Sequence, residues 1–250
     1  MLFSIITAVY NNKNEIQGAI ASVAGQKNVE LEHIIMDGGS NDGTTEIIKA
    51  NNNAHINFES SRDKGIYDAL NKGIAKAKGD IIGILHSDDL FNDDQVLKDI
   101  LGMFEAGYDG VYGDLDYVSK HDTTNIFRHW KALVPDFFQL QLGWMPPHPA
   151  LFLKRSVYEE IGNFDLNYKI SADYDFILRV FLKQKYKIGY LPRTIVKMRV
   201  GGESNRSLKN IIRKSREDFA IASKHFNVPL LTVFFKNFRK IPQFFPGKIN

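Results

Sequence analysis

Short apolar segments that alternate with amphipathic helical patterns dominate the first half of the sequence. Five segments predict β-strands: 3–9, 31–36, 56–59, 81–85 and 110–112. Between them apolar residues recur at intervals of three and four, as in the series Ile66, Leu70 and Ile74, which predicts helices. Strands that alternate with crossover helices form a mainly parallel sheet flanked by helices. The sequence therefore predicts an α/β fold of this Rossmann-like type.

The second half has a less regular pattern. Strands are predicted at residues 116–119 and 150–153, and helices at 157–161 and 173–182. A proline-rich loop over 135–149 separates these groups. Near the start of the chain, Asn12 or Asn14 is expected to cap the first helix, because asparagine is favoured at that position.

Several common classes of protein are excluded by residues that the sequence lacks. It contains no cysteine, which excludes disulfide scaffolds, thiolate zinc sites, iron–sulfur clusters and cysteine nucleophiles. No segment has the spacing of a Walker A phosphate-binding loop. The glycine-rich segment 38–43 has Ser40 where the dinucleotide-binding fingerprint requires its second glycine. A Rossmann dehydrogenase is therefore not expected.

Polar side chains follow four of the predicted strands. In chain order these side chains are Asn11, Asp37, Asp63 and the pair Asp88 and Asp89. Because the carboxyl ends of parallel strands meet at one edge of a sheet, we expect the side chains to converge there. The adjacent carboxylates of Asp88 and Asp89 suit Mg²⁺ or Mn²⁺ bound to a diphosphate, or else cap the following helix. Asp37 is expected either to contact a base or ribose or to form an Asx-type turn.

The order and spacing of these segments resemble the motifs of glycosyltransferase family 2, which has the GT-A fold. The matching segments are TAVYN at 7–11, DGGSNDGT at 37–44, DKGIYDALNKG at 63–73 and SDD at 87–89. Four later segments resemble acceptor-side motifs of bacterial members that build polysaccharides: HP at 148–149, GNFD at 162–165, ADYD at 172–175 and GGES at 201–204. The resemblance covers roughly residues 3–205.

The resemblance implies a role for each matching residue of the donor site. Six residues would contact or border the nucleotide-sugar: Thr7, Tyr10, Asn11, Asp37, Asp63 and Asp88. Asp37 would contact the base, usually uracil in this family, and Asp88 the ribose or the sugar. Asp89 would coordinate the divalent metal, Mn²⁺ or Mg²⁺, that bridges the two phosphates. Because the segment reads SDD where the motif is DXD, the division of labour between Asp88 and Asp89 stays open.

Two further residues are candidates on the acceptor side. Asp173 matches the family's catalytic base, which would deprotonate an acceptor hydroxyl as its oxygen attacks the anomeric carbon with inversion. Ala172 replaces the first acid of the usual acidic pair, which leaves Asp175 as a less favoured base. Asp173 also stands where a helix is predicted to begin, so a helix-capping role is the alternative. His148 would ligate the metal, orient the acceptor or serve a structural role.

Arg179 and the loop at 201–204 also have predicted roles. Arg179 would bind a phosphate or pair with a neighbouring acid, since both suit its guanidinium group. Gly201 and Gly202 predict a turn that closes over the bound donor.

The resemblance also divides the chain. Residues 1–205 are expected to form the GT-A domain, with a nucleotide-sugar half to about residue 114 and an acceptor half from about residue 115. Residues 206–250 contain ten Lys/Arg and two Asp/Glu, a net charge of +8, together with phenylalanines such as Phe234, Phe244 and Phe245. This basic, aromatic extension is predicted to be helical. It would lie on an anionic membrane surface or pack on the domain, with nucleic acid the least favoured partner.

Together these features predict a metal-dependent inverting glycosyltransferase of the hexosyltransferase type. It would transfer a sugar from a nucleotide-sugar, with a UDP-sugar favoured, to a glycan or polyprenyl-diphosphate-linked acceptor in cell-surface polysaccharide synthesis. Residues 1–7 predict a buried strand rather than a signal peptide. A cytoplasmic protein is favoured, peripheral on the inner face of the membrane if the extension binds lipid. The alternatives are a catalytically silent nucleotide-sugar binding module and a nucleotidyltransferase.

Overall fold

The computed structural model describes residues 1–51, 53–200 and 208–238. The strands in these ranges are β1 (Leu2–Val9), β2 (Glu30–Asp37), β3 (Ile56–Ser60), β4 (Ile81–Ile84), β5 (Leu90–Phe91), β6 (Gly110–Val118), β7 (Ile126–Trp130), β8 (Leu151–Lys154) and β9 (Ile188–Arg199). The helices are α1 (Ile16–Ala24), α2 (Thr44–Ala50), α3 (Ile66–Lys76), α4 (Val96–Glu105), α5 (Phe137–Gln141), α6 (Arg155–Ile161), α7 (Ala172–Leu182), α8 (Leu208–His225) and α9 (Pro229–Phe238). The turn predicted at 201–204 and the end of the extension, with Phe244 and Phe245, lie outside the described residues.

All the described strands belong to one sheet. Its order is β3-β2-β1-β4-β8-β6-β9-β5, and β7 pairs with β6 outside this path. Strands β1 to β4 are parallel to their neighbours in the first half. In the second half β8 runs antiparallel to β4 and β6, while β6 and β9 are parallel. The predicted α/β fold is confirmed, with a parallel first half and a mixed second half.

The centre of the sheet is covered by helices on both faces. On one face Phe3 of β1 joins a buried cluster with Phe104 of α4. On the other face Ile6 of β1 joins a second cluster with Leu70 of α3. A strand that is buried on both faces is apolar throughout instead of alternating, which explains the continuous apolar pattern of β1.

The pairing of β4 with β8 brings the two halves together. Gly83 lies opposite Phe152 in this antiparallel pair, and a β-carbon at position 83 would lie 2.2 Å from Phe152 Cε1. Glycine is therefore required for the Phe152 ring to cross β4. Because the strands are antiparallel, the carboxyl end of β4 lies beside the amino end of β8, so the residues after β4 meet the residues before β8.

The predicted cap of α1 is wrong. The helix begins at Ile16 after Glu15, and no side chain caps it. The Asn12 side chain instead donates a hydrogen bond to Ser87 Oγ at 2.9 Å, and it therefore fastens the loop after β1 to the loop after β4.

The strands of the second half also differ from prediction. The segments predicted at 110–112 and 116–119 form one continuous strand, β6. Strands β7 and β9 were not predicted. Pro192 lies within β9, and a proline inside a run argues against a strand in a sequence pattern.

The extension packs on the domain over its described part. Ile221, Ala222 and Phe226 of α8 are buried in the same cluster as Leu70 and other core residues. Helix α9 folds back along α8 and places Thr232 and Lys236 in buried positions. Among the residues that the structure describes, no helix combines the length and apolar character needed to cross a membrane.

Candidate active site

The loops that follow β1 and β2 are fastened to each other at the carboxyl edge of the sheet. Asn11 Oδ1 accepts a hydrogen bond from Asn41 N at 2.9 Å, and Asn11 N donates to Ser40 Oγ at 2.8 Å. Asn11 has a φ of +47°, a conformation that asparagine adopts more readily than most residues. Tyr10, which is 64% exposed, therefore stands on a fixed loop with its ring accessible to a ligand.

Asp37 is buried at the end of β2 and organises the turn after it. Its Oδ2 accepts hydrogen bonds from Gly39 N at 3.1 Å, Ser40 N at 3.0 Å and Ser60 Oγ at 2.5 Å. Its Oδ1 accepts from the Ser40 hydroxyl. This is the Asx-type turn that the sequence left open as an alternative. Contact between Asp37 and a nucleobase stays a prediction, and such a contact would compete with these bonds.

Asp63 lies against this turn from the loop after β3. A β-carbon at Gly38 would be 2.6 Å from Asp63 Oδ2 and 3.4 Å from Tyr10 Cδ2. Asp63 Oδ1 accepts a hydrogen bond from Gly65 N at 2.8 Å, and the residue is partly buried. The absence of a side chain at Gly38 thus brings Tyr10 and Asp63 together beside the turn, and their contact with a nucleotide-sugar stays a prediction.

Thr7 lies beneath the edge and is fully buried. Its hydroxyl donates to Leu85 O at 2.7 Å and lies 2.9 Å from His33 Nε2. Burial lowers the pKa of His33 to about 3, so the ring is neutral and its Nε2–H donates to Thr7. Thr7 therefore connects β1, β2 and the end of β4. Its predicted contact with the nucleotide stays a prediction.

Asp88 and Asp89 follow β4, and both carboxyl groups have raised pKa values. Asp89 is fully buried, its Oδ1 accepts from Arg199 N at 3.3 Å, and its Oδ2 has no hydrogen-bond partner within the described residues. Burial, and then the charge of Asp88, raise the pKa of Asp89 well above its usual range. Burial also raises the pKa of Asp88. A buried carboxylate with an unpaired oxygen is costly unless a cation or a proton neutralises it.

The Asp88–Asp89 pair has the chemistry of a divalent-cation site. Carboxylate oxygens are hard ligands, and Mg²⁺ in enzymes is commonly held by one or two carboxylates together with water and substrate phosphates. The unpaired Oδ2 of Asp89 is an oxygen of this kind. The described residues contain no group of three or more His, Cys, Asp or Glu side chains placed to hold a metal ion.

A connected series of side chains links this loop to Asp173. His86 Nε2 lies 2.7 Å from His148 Nε2, and His148 Nδ1 lies 3.3 Å from Asp173 Oδ2. The hydroxyl of Tyr67 lies 3.1 Å from Asp173 Oδ1 and 2.8 Å from Ile170 O. The antiparallel pairing of β4 and β8 makes this possible, because His86 follows β4 and His148 precedes β8.

The protonation of the two histidines follows from their partners. Burial lowers the pKa of both rings, that of His86 to about 3, so each ring carries one N–H. An N–H on His148 Nδ1 faces the Asp173 carboxylate, whereas a lone pair there would repel it. His148 Nε2 is then the acceptor for His86 Nε2–H. The remaining His86 Nδ1 is a buried lone pair without a partner among the described residues.

His148 therefore has a protein partner at each ring nitrogen. Metal coordination by His148 would have to displace one of these partners, because a metal ligand needs a free nitrogen lone pair. Its roles in orienting the acceptor or in supporting the structure stay predictions.

The geometry around Asp173 argues against the helix-capping alternative. Helix α7 begins at Ala172 after Ser171, and the Asp173 carboxylate contacts Tyr67 and His148 instead of capping the helix. Asp175 is buried and pairs with Arg179 Nε at 2.8 Å. The ion pair predicted as one alternative for Arg179 is thus confirmed, and Asp175 is engaged by that pair.

Sequence reasoning missed the roles of Tyr67 and His86. Tyr67 stood inside the DKGIYDALNKG segment, and His86 stood directly before Ser87, yet neither has a spacing signal that points to Asp173. Their role depends on contacts across about 100 and about 60 residues of sequence, which only the paired strands establish.

The fold places the protein in the GT-A class. The chain is similar to the solved structure of S. aureus TarS 1–349 in complex with UDP-GlcNAc, with a TM-score of 0.69, 18% identity, and coverage of 91% of this chain and 68% of that chain. It is also similar to the mannosyltransferase from Pyrobaculum calidifontis in complex with GDP-Man and Mn²⁺, with a TM-score of 0.65, 17% identity, and coverage of 94% and 68%. These likenesses confirm the predicted GT-A fold.

The sequence comparisons identify the family. The model of glycosyl transferase family 2 matches residues 4–164. A PGL/p-HBAD biosynthesis glycosyltransferase of Mycobacterium bovis (strain BCG / Pasteur 1173P2) is 31% identical over 186 residues, which cover 72% of this chain and 70% of that protein. The chain belongs to glycosyltransferase family 2, and the predicted glycosyltransferase class is confirmed. Asp173, α8 and α9 lie beyond the residues that match the family model.

Proposed function

We propose that this glycosyltransferase transfers one hexose from a UDP-sugar to a glycan or polyprenyl-diphosphate-linked acceptor, with inversion at the anomeric carbon. The observation that supports it most is the connected series His86, His148 and Asp173, which joins the Asp88–Asp89 loop to a partly exposed carboxylate at the same edge of the sheet. A metal-dependent transferase needs carboxylates that hold a cation beside the diphosphate, and it needs a separate carboxylate that accepts the proton of the acceptor hydroxyl. The UDP-GlcNAc in the TarS structure supports the donor class.

Asp173 is the base in this proposal. The acceptor hydroxyl gives its proton to the Asp173 carboxylate while its oxygen forms a bond to the anomeric carbon. The bond from that carbon to the diphosphate oxygen breaks, and its electron pair leaves with the nucleoside diphosphate. The Nδ1–H of His148 holds one carboxylate oxygen, and the Tyr67 hydroxyl, whose single proton is shared with Ile170 O, lies against the other. The base therefore presents a lone pair in a fixed orientation to the acceptor.

Asp89, with Asp88 beside it, would hold a divalent cation, Mg²⁺ or Mn²⁺. When bound, the cation supplies Lewis-acid stabilisation of the negative charge that develops on the departing diphosphate. The buried, unpaired oxygen of Asp89 supports this assignment, and the Mn²⁺ in the mannosyltransferase structure supports it by likeness of fold.

Release of nucleoside diphosphate tests the proposal. UDP-, GDP- and dTDP-sugars are incubated with the protein, Mn²⁺ or Mg²⁺, and a crude bacterial lipid fraction as acceptor, with a chelator and Asp89→Ala as controls. We expect release from one UDP-sugar that both controls abolish. If every donor stays intact while one binds, either the lipid fraction lacks the acceptor or the protein is a silent binding module, and unchanged behaviour of Asp173→Asn would favour the module. Release of pyrophosphate from a nucleoside triphosphate would indicate a nucleotidyltransferase instead.

The described part of the extension supports a membrane location for the acceptor. Leu230, Phe234 and Phe238 of α9 are 75%, 59% and 54% exposed on the side away from the domain. Residues 208–238 contain six Lys/Arg and two Asp/Glu, a net charge of +4. Exposed apolar side chains among basic ones suit the surface of an anionic bilayer. The protein would act at the cytoplasmic face, where lipid-linked acceptors reside.

Co-sedimentation with vesicles tests the membrane part separately. We expect binding to phosphatidylcholine vesicles only when phosphatidylserine is included, and release as salt screens the charges. The double variant F234S/F238S should lose binding. The matched control Phe127→Ser removes an exposed ring from β7 and should bind as wild type. Binding that persists at high salt, or that the double variant retains, would contradict this part.

A further inference from the structure

We propose that Glu217 of α8 is a positioning residue for the catalytic base. The inference rests on the proposed function, in which Asp173 is that base. Asp173 is the second residue of α7, so its location depends on what holds the amino end of that helix. Glu217 belongs to the extension and lies outside residues 4–164, which match the family model.

The Glu217 carboxylate binds three successive backbone N–H groups directly before α7. Glu217 Oε1 accepts from Lys169 N at 3.0 Å, and Oε2 accepts from Ile170 N at 2.8 Å and Ser171 N at 3.0 Å. The residue before the helix, Ser171, makes no side-chain cap. A carboxylate from another helix therefore holds the residues that lead into α7, and its negative charge lies near the amino end of that helix, where it is stabilising.

The same segment is held from its other side by α3. The Tyr67 hydroxyl lies 2.8 Å from Ile170 O and 3.1 Å from Asp173 Oδ1. Ile170 thus has its N–H bound by Glu217 and its carbonyl within hydrogen-bond distance of the Tyr67 hydroxyl, whose single proton is shared between Ile170 O and Asp173 Oδ1. A shift of this residue would disturb the positions of Tyr67 and Asp173 together, so the Glu217 contacts reach the base through one residue.

Helix α8 is itself rigidly anchored at this point. Asp218, next to Glu217, is fully buried and lies 2.8 Å from both Lys214 Nζ and Lys236 Nζ. Lys236 Nζ also lies 3.3 Å from the centroid of the Tyr174 ring, which is adjacent to Asp173. The extension therefore contacts the start of α7 at two places, through Glu217 and through the Asp218–Lys236 pair.

Amide hydrogen exchange tests the contact without any substrate. In Glu217→Ala we expect the amides of Lys169, Ile170 and Ser171 to exchange at least about tenfold faster, because their acceptor is lost. Glu217→Gln keeps a single acceptor oxygen, so only some of the three amides should exchange faster. It provides a second variant if the alanine variant fails to fold. Glu160→Ala is the matched control, since it removes a surface glutamate that pairs with Lys183 and Lys185.

Kinetics test whether the contact positions the base. With the donor and acceptor found above, Glu217→Ala should lower kcat by about 10- to 100-fold, the scale of a small displacement of a reacting group. The KM for the donor and the affinity for UDP should stay within twofold, and Glu160→Ala should match wild type in every readout. Faster exchange at the three amides with an unchanged kcat would overturn the proposal, as would wild-type exchange in both Glu217 variants. If the wild type transfers no sugar, the proposed function fails, whereas the exchange data still decide whether Glu217 holds the segment.

Discussion

Among single residues, His148 has a different partner at each of its two ring nitrogens. Nδ1 faces Asp173 Oδ2 at 3.3 Å and Nε2 faces His86 Nε2 at 2.7 Å. A neutral ring in this setting donates from Nδ1 and accepts at Nε2. In the proposed mechanism His148 therefore presents one N–H to Asp173.

Replacing His148 by asparagine or by glutamine tests which of its two ring nitrogens carries the proton. The amide nitrogen of asparagine occupies roughly the place of Nδ1, whereas that of glutamine reaches the place of Nε2. We expect His148→Asn to retain most of the wild-type kcat and His148→Gln to lose about 10- to 100-fold, the equivalent of a charge-assisted hydrogen bond worth about 1.5–3 kcal/mol. Equal kcat values in the two variants, measured at saturating donor and acceptor, would contradict the tautomer.

The burial of the Asp89 carboxylate is expected to lower the free energy of unfolding when no cation is bound. In the presence of a chelator, Asp89→Asn should raise the free energy of unfolding by about 1–3 kcal/mol, because an unpaired buried charge is removed. Added Mn²⁺ should raise the melting temperature of the wild type but not of the variant, since only the wild type binds the ion. Thermal unfolding measures both, with the exposed Asp122→Asn as the control. A metal-induced shift that survives in Asp89→Asn would exclude Asp89 as the ligand.

At the level of elements, the extension is fixed by a buried ion pair. The charges of Lys236 and Lys214 outweigh the effect of burial and lower the pKa of Asp218 to about 2. Asp218 and Lys236 lie on α8 and α9, and the Lys236 ammonium covers the Tyr174 ring of α7. Three helices therefore depend on one carboxylate.

Removing one partner of this pair should be worse than removing both. Asp218→Leu should lower the free energy of unfolding by about 3–5 kcal/mol, because the Lys236 ammonium is left buried without a partner. Lys236→Met should cost less, because Asp218 keeps Lys214 as a partner. The double variant D218L/K236M should lie closer to wild type, since a buried pair adds little over apolar packing. Urea unfolding compares the three. A double variant that is less stable than both single variants would contradict the account.

The Asp218 carboxyl also predicts a pH dependence of stability. Its folded pKa of about 2 is below the ordinary value of 3.8. The stabilisation is therefore fully present above pH 3.8 and is lost as the pH falls toward 2. Asp218→Asn should remove this component, so the difference in unfolding free energy between wild type and variant should shrink over that interval. A constant difference across the interval would show that Asp218 does not supply it.

Elements with local signals were predictable, and elements that depend on distant partners were not. The strands from β1 to β4 follow from apolar runs of suitable length, and α3 follows from its stripe of apolar residues. Strand β9 is half-buried and contains Pro192, so its strand character comes from pairing with β6. The segment directly before α7 is held by Glu217, which lies about 45 residues further along the chain, beyond the reach of local pattern rules.

At the scale of the whole molecule, the mixed half of the sheet completes the site that the parallel half begins. The first half supplies Tyr10, Asp63 and the Asp88–Asp89 pair, whose convergence follows from the parallel strand order. The second half supplies His148 and Asp173, whose positions depend on the antiparallel entry of β8. The sequence motifs predicted the acids, but the links through Tyr67 and His86 required the folded chain.

The central claim is that Asp173 acts as the base of a glycosyl transfer. Its most direct test is the kcat of nucleoside diphosphate release in Asp173→Asn, compared with Asp175→Asn, the matched change two residues along the same helix. We predict that Asp173→Asn loses about 100- to 10,000-fold in kcat, the usual contribution of a general base, with its affinity for UDP unchanged, while Asp175→Asn keeps kcat within severalfold. Wild-type turnover by Asp173→Asn, or a larger loss in Asp175→Asn, would contradict the account.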